Sequence, residues 1–211
     1  MTMSDSSPAK STVFVIDDDQ AMRNSLKWLI ESVGVPVESF GSADEFLAQY
    51  YPGRAGCLVL DVRMPGMSGL ELLEYLAEKS IHIPAVIITG HGDVPMAVRA
   101  MKSGAIDFIE KPFNDEALLD AIRRAIAFEE QQRGFHSEHL QIRQRVSHLT
   151  PREHEVMKMV TEGKSNKEIA NTLGVSAKTI EAHRARVMEK MQAGSLAELV
   201  RMALAATDGV D

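Results

Sequence analysis

Residues 12–125 carry short runs of apolar, β-branched and aromatic residues: Thr12-Val-Phe-Val-Ile16, Pro36-Val-Glu-Ser-Phe40, Cys57-Leu-Val-Leu60, Pro84-Ala-Val-Ile-Ile88 and Ala105-Ile-Asp-Phe-Ile109. Between them, apolar positions recur at helical spacing near residues 20–33, 42–50, 69–79 and 94–103, and another helical stretch opens near 114. Runs that are apolar at nearly every position predict strands covered on both faces. Their alternation with helices predicts an α/β domain, a doubly wound five-stranded parallel sheet with crossover helices, over residues 12–125.

From residue 149 onward the spacing is helical throughout. Thr150-Pro-Arg-Glu153, Ser165-Asn-Lys-Glu168 and Ser195-Leu-Ala-Glu198 each place a hydroxyl three residues before Glu, the pattern of a capping box, and Ser176 is a fourth cap. Four helices are expected, near 151–162, 166–172, 176–190 and 196–205. The short Leu173-Gly-Val175 turn between the second and third is that of a helix-turn-helix, so residues 149–211 form a small all-α domain of four helices. Residues 126–148 are polar around Glu129-Glu-Gln-Gln-Arg-Gly134. Phe135, His139, Ile142, Val146 and Leu149 then follow at spacings of three and four, which predicts a partly helical linker. Residues 1–11 are expected to be disordered.

Composition sharpens this division. The net charge of -7 is confined to residues 1–125, with 18 acids against 11 bases; residues 126–148 have 3 of each and residues 149–211 have 9 of each. The two halves therefore suit different partners, and charge alone does not mark the second for nucleic acid. The single cysteine, Cys57, lies inside an apolar run and reads as a small core residue of a reducing compartment. No stretch has signal-peptide or membrane-spanning character, so a soluble cytoplasmic protein with no membrane partner is expected. His136, His139, His148 and His154 lack any metal-ligand pattern, and surface or linker positions are expected for them.

The chemistry gathers where the apolar runs stop. The first ends in Asp17-Asp-Asp19, the third in Asp61, the fourth in Thr89-Gly-His-Gly92 and the fifth in Glu110-Lys-Pro-Phe113. In a parallel sheet these ends share one edge, the edge that binds ligands in open α/β sheets. Asp61, followed by the loop Val62-Arg-Met-Pro-Gly-Met-Ser-Gly69, is a candidate site residue, although a helix N-cap or loop aspartate fits the same stretch. Three carboxylates converging with one lysine ask for a divalent cation, and oxygen ligands with room for water suit Mg²⁺.

Five spaced features, Asp17-Asp18, Asp61 before Met64-Pro-Gly-Met-Ser-Gly69, Thr89, and Lys111-Pro-Phe113, resemble the receiver domain of two-component response regulators, a flavodoxin-like fold. The resemblance implies that Asp61 is the phosphoacceptor and that Thr89 and Lys111 hold the phosphoryl group. Asp17, Asp18, Asp61 and the main-chain carbonyl of Arg63 would bind Mg²⁺, with the Lys111-Pro112 bond cis. Thr89 and Phe108 would form the switch, Phe108 having plain core packing as its alternative. The helix opened by Asp93, with Pro95 in its first turn, would supply a dimerisation face through Val94, Val98, Arg99, Met101 and Lys102; a stripe buried against the sheet fits the same spacing. His91 stands where it would tune phosphoryl lifetime.

Leu149-Thr-Pro-Arg-Glu153, Asn166-Lys-Glu-Ile-Ala170, Leu173-Gly-Val-Ser176, Thr179-Ile-Glu-Ala-His-Arg184 and Lys190-Met191 resemble the LuxR-type helix-turn-helix of the NarL/FixJ response regulators, closest to the FixJ branch. The helix from 176 would then enter the major groove. Ile180, Val187 and Met191 would be core. Lys178, Thr179, Glu181, Ala182, Arg184 and Arg186 would face DNA, with Lys190 adding to the helix's positive charge and Lys167 contacting a phosphate.

The resemblance implies a phosphorylation-dependent DNA-binding transcriptional regulator rather than an enzyme. A sensor histidine kinase would phosphorylate Asp61, beyond which the receiver would catalyse only its own phosphorylation and dephosphorylation. The phosphorylated homodimer would bind promoter DNA, and RNA polymerase is a further partner that the family allows. An aspartyl-phosphate hydrolase would share the strand-end Asp, Lys and Mg²⁺, but such enzymes place an acid/base Asp two residues after the nucleophile, where this chain has Arg63. A receiver acting by protein contact alone is the third reading.

Overall fold

The computed structural model describes residues 11–90 and 92–207. The expected N-terminal disorder and the reading of His91 fall on residues outside these ranges, Ser11 excepted. The chain divides into two compact units between Gln132 and Arg133.

In the first unit, strands β1 (Thr12–Ile16), β2 (Val37–Phe40), β3 (Gly56–Asp61), β4 (Ala85–Thr89) and β5 (Ala105–Glu110) form one sheet of order β2-β1-β3-β4-β5 with every pair parallel. Helices α1 (Gln20–Ser32), α2 (Ala43–Gln49), α3 (Gly69–Glu78), α4 (Val94–Lys102) and the start of α5 (Asp115–Ser147) connect or cover the strands. Side chains that alternate along each strand sort into two cores. Val13, Val15, Cys57, Val59, Val86 and Ile88 pack with Leu26 and Ile30 of α1 and Leu118, Ala121, Ile122 and Ala125 of α5. Phe14, Ile16, Leu58, Leu60 and Ile87 pack on the other face with Phe46 of α2, Leu72, Leu73 and Leu76 of α3 and Ala100 of α4. Fully burying one such aliphatic side chain contributes roughly 1.5–3 kcal/mol, so the two faces together hold the sheet edge rigid.

Local signals set the helix starts. Asp19 caps α1, its carboxylate accepting from the N–H groups of Ala21 and Met22, and Ser68 with Glu71 closes a capping box on α3 that the sequence reading passed over. Asp93 caps α4, with Pro95 in the first turn. Because Ser68 caps the helix after β3, Asp61 is no helix cap; it is the last residue of its strand, paired in register with Ile88.

The expected partly helical linker is instead wholly helical: α5 runs unbroken from Asp115 to Ser147, and the boundary between the units falls within it. Its last turns are built into the second unit, where Ile142 is buried and Val146 packs against the same core. Apolar spacing continued far enough to reach that core, which is why the stretch folds as helix rather than as a tether.

The second unit adds α6 (Pro151–Thr161), α7 (Asn166–Leu173), α8 (Ala177–Met191) and α9 (Leu196–Thr207) around Val156, Met157, Val160, Ile169, Ile180, Val187, Met191 and Leu199. Two of the three expected capping boxes form in full, at Thr150–Glu153 and Ser165–Glu168. At the third, Ser195 accepts from the Glu198 N–H at 3.2 Å, but Glu198 reaches one residue further back, to the Gly194 N–H at 2.8 Å. Gly174 ends α7 at φ 67°, a left-handed conformation that turns the chain into α8 at no side-chain cost.

Glu153 does more than cap. It is buried, and its carboxylate accepts from the Thr150 N–H at 2.9 Å and from Lys190 Nζ at 2.6 Å, which ties α6 to the end of α8. The Lys190 bond, followed by those from Thr150, holds the Glu153 carboxyl down at about 2 against an ordinary 4.5. A depressed acid stabilises the fold fully above the unfolded value and loses that contribution as pH falls through the folded one. The helical unit should therefore lose stability as pH drops from about 4.5 toward about 2. Glu153→Gln should cost about 2 kcal/mol at pH 7 and flatten that decline, as read by the urea midpoint of the second unit against pH.

Candidate functional site

The carboxyl ends of β1, β3 and β4 and the residue after β5 meet at one edge because the parallel registers end together, Ile16 opposite Leu60, Asp61 opposite Ile88 and Thr89 opposite Glu110. Asp17, Asp61 and Thr89 are all buried there, with relative exposures of 1%, 6% and 0%. Lys111 follows β5; its N–H donates to the Thr89 carbonyl at 2.7 Å, and its bond to Pro112 is cis. The Lys111 ammonium reaches back across the edge, 2.9 Å from Asp17 Oδ2 and 2.6 Å from Asp61 Oδ1.

The other carboxylate oxygens are also engaged. Asp61 Oδ2 accepts from the Arg63 N–H at 2.7 Å, and Asp17 Oδ1 from the Asp19 N–H at 2.9 Å. Burial pushes the Asp61 carboxyl above its ordinary value, against the pull of Lys111 and the Arg63 N–H, and the Asp17 charge adds to the rise. Burial opposes the charge on Lys111 too, but hydrogen bonds to two carboxylates outweigh it and hold the ammonium above its usual range. One cation shared by two anions gains more than either anion does.

The expected convergence of three carboxylates is not what forms. Asp18 is exposed at the lip, and among the described residues no three acidic, histidine or cysteine side chains gather as a ready-made metal cage. The edge holds two buried carboxylates, Asp17 just after β1 and Asp61 at the end of β3, with Lys111 in contact with both. Sequence reasoning also missed Gly69, where a Cβ would stand 2.1 Å from the Asp61 carbonyl oxygen. The first turn of α3 closes directly on the strand end, and only glycine fits. The signal was present, since the loop after Asp61 ends in Ser-Gly.

Phe108 is half-buried, packed against the core on the α3 and α4 face. Its ring lies against Gly92, where a Cβ would meet Phe108 Cε1 at 2.9 Å and Thr89 Cγ2 at 3.5 Å. Thr89 and Phe108 are thus neighbours across a residue with no side chain. On α4 only Ala100 is buried, so the stripe does not sink against the sheet: Val94, Val98 and Met101 are 77%, 46% and 50% exposed, beside an exposed Lys102. Arg99 is committed elsewhere, its Nε and Nη2 each 2.6 Å from the Glu74 carboxylate of α3.

In the second unit, Lys178, Thr179, Glu181, Ala182 and Arg186 are exposed on α8, and Lys167 is exposed in the first turn of α7. Ile180, Val187 and Met191 are buried, as helical spacing requires. Two cations differ from expectation. Arg184 is half-buried and donates to Asn166 Oδ1 at 2.8 Å, fastening α8 to the start of α7. Lys190 is bound to Glu153 and to the His148 carbonyl at 3.2 Å. Arg184 was expected on the outward side and Lys190 as part of the helix's positive charge, but long side chains bend back to unsatisfied acceptors. Arg152 acts likewise, closing the end of α7 through the Leu173 carbonyl at 2.7 Å.

Comparison with known proteins finds the response regulator receiver domain over residues 13–123 and the luxR family of bacterial regulatory proteins over residues 147–203. The chain is 49% identical to nodulation protein W of Bradyrhizobium diazoefficiens, over 92% of this chain and 85% of that one. It is 48% identical to the transcriptional regulatory protein FixJ of Azorhizobium caulinodans, over 94% of each. Among solved structures, response regulator StyR matches with a TM-score of 0.85 at 47% identity, covering 93% of this chain and 99% of that one. Full-length FixJ from B. japonicum matches with a TM-score of 0.56 at 47% identity, covering 94% and 98%.

The exposed and the engaged cations should separate experimentally. Arg186→Ala should lower affinity for a specific promoter fragment and reduce the slope of log affinity against log salt by about 1, the release of roughly one phosphate's counterion. Lys190→Ala should leave that slope unchanged and destabilise the helical unit instead.

Proposed function

The chain belongs to the response regulators that join a receiver domain to a LuxR-type helix-turn-helix, a family of transcription regulators, and from that premise we propose that Asp61 is its phosphoacceptor. The convergence of Asp17, Asp61 and Lys111 at one strand edge carries this reading. Asp61 is the nucleophile: a carboxylate oxygen bonds to phosphorus as the phosphorus–nitrogen bond of a sensor kinase's phosphohistidine breaks, and the electron pair returns to the imidazole. Lys111, already in contact with Asp61 Oδ1, offsets charge on the transferring oxygens. The Arg63 N–H holds the other oxygen, so the carboxylate is oriented before the donor arrives.

The donors at this edge fit Mg²⁺. All are oxygens, the Lys111 ammonium already sits where a cation is favoured, and a set of two buried carboxylates with Asp18 at the lip leaves room for the waters that Mg²⁺ retains. Asp17, Asp18, Asp61 and the Arg63 carbonyl would hold it. The ion would supply further neutralisation of the phosphoryl oxygens.

Phosphorylation replaces the single carboxylate charge of Asp61 with a phosphoryl group carrying about -1.5 to -2 beside Thr89, enough to draw its hydroxyl toward the new group. Phe108, which like Thr89 lies beside Gly92, follows that movement and carries it to α4. There the exposed Val94, Val98 and Met101, with Lys102 and the Glu74-bound Arg99 at their edge, form the homodimer face. Dimerisation presents two copies of α8 to promoter DNA, with Lys178, Thr179, Glu181, Ala182 and Arg186 toward the groove, Arg184 bracing the helix through Asn166, and Lys167 at a phosphate.

The test uses full-length wild type and Asp61→Ala, each with Mg²⁺ and either acetyl phosphate or beryllofluoride. Sedimentation and promoter-fragment retention are the measurements. Wild type alone should dimerise and gain DNA affinity on adding donor. Equal behaviour of the two proteins would remove Asp61 as the switch, and a donor-dependent dimer that never retains DNA would favour regulation by protein contact alone.

A further inference from the structure

One cation near the acidic edge is not used by this account. Arg23 lies in the second turn of α1, and its guanidinium folds back onto β1: Nη1 donates to the main-chain oxygen of Asp17 at 2.6 Å, and Nη2 donates to the Gln20 side chain. Gly41, just after β2, closes over the group; a Cβ there would stand 3.6 Å from Nη1. The Gly41 N–H is itself held by Glu45 Oε2 at 2.6 Å. Arg23 therefore joins α1, the end of β1 and the turn after β2.

Asp17 is gripped at every polar atom. Its N–H donates to the Phe40 carbonyl at 3.2 Å, its carbonyl accepts from Arg23, and its two carboxylate oxygens accept from the Asp19 N–H and from Lys111. Three of those partners are main-chain groups or the site's own lysine. Among the described residues Arg23 is the one side chain that holds the main chain of Asp17, and Asp18 hangs from the same peptide.

We propose that Arg23 is a positioning residue of the acidic edge: by fixing the Asp17 main chain it holds the Asp17 and Asp18 carboxylates ready for Mg²⁺ and so sets the affinity of the site for that ion. The inference rests on the Mg²⁺ reading above. Charge alone predicts the reverse effect, since a guanidinium near a cation site repels the incoming cation. The sign of the change thus separates positioning from simple electrostatics. Residues that orient metal ligands typically contribute about 10- to 100-fold in affinity.

The experiment titrates Mg²⁺ by calorimetry into the full-length protein as wild type, Arg23→Met, Arg23→Lys and Lys27→Met, with a melting temperature for each. Lys27 lies on the same helix in an exposed pair with Glu31 at 3.8 Å and controls for bulk charge. Arg23→Met should weaken Mg²⁺ binding about tenfold. Arg23→Lys, which keeps a donor within reach of the Asp17 carbonyl, should weaken it less, and Lys27→Met should leave it unchanged. Unchanged Mg²⁺ affinity with a lowered melting temperature would reduce Arg23 to a structural tie, and tighter binding would make it a competing charge; either overturns the proposal. If wild type itself fails to bind Mg²⁺, the metal reading of the site falls, and this inference with it.

Discussion

The receiver's chemistry depends on a single ammonium group shared by two buried carboxylates. Lys111 is held within hydrogen-bond reach of Asp17 and Asp61, which stand at the ends of different strands some 44 positions apart and would otherwise repel across the sheet edge. Three features put them there: parallel registers that end together, a β3 strand closed by Gly69 against the Asp61 carbonyl, and a Lys111 N–H anchored on Thr89. Burial keeps the Asp61 carboxyl raised even with Lys111 beside it. A group so placed is stabilised by gaining a cation beside it.

The second unit applies the same economy of charge differently. Residues 149–211 carry 9 acids and 9 bases and so no net excess, and a DNA-binding face must come from which cations are left outward. Lys190 and Arg184 are engaged with Glu153 and Asn166, fastening α8 to α6 and α7, while Lys178, Arg186 and Lys167 are left outward. The engaged pairs fasten the helix, and the outward ones are those in a position to meet phosphate.

Much of this was legible in the sequence, for physical reasons that can be named. Strand runs apolar at every position have no other stable home than a covered sheet, and a strand run ending on Asp61 or Asp17 marks the edge where ligands bind. Hydroxyl–x–x–Glu patterns announced α6 and α7 because each side chain satisfies a main-chain N–H that the helix cannot. What failed depended on tertiary partners. Arg184 was expected outside and Lys190 as part of the helix's free positive charge, but their reach to Asn166 and Glu153 is set by how α8 packs. Asp18 looked equal to Asp17, but the strand ends at Ile16, leaving the first carboxylate buried and the second at the lip. The linker seemed half irregular because polar residues around Gln131 mask a helix whose later turns are tied down by Ile142.

The phosphoacceptor claim has a direct chemical test. Trypsin cleavage after Arg54 and Arg63 leaves a peptide, residues 55–63, whose only side-chain carboxylate is Asp61. Full-length protein incubated with Mg²⁺ and acetyl phosphate, trapped by borohydride reduction of the acyl phosphate and mapped by mass spectrometry, should show homoserine in place of Asp61 in that peptide and in no other. Modification at another carboxylate, or none in a protein shown to bind Mg²⁺, would contradict the assignment of Asp61 as the residue that receives the phosphoryl group.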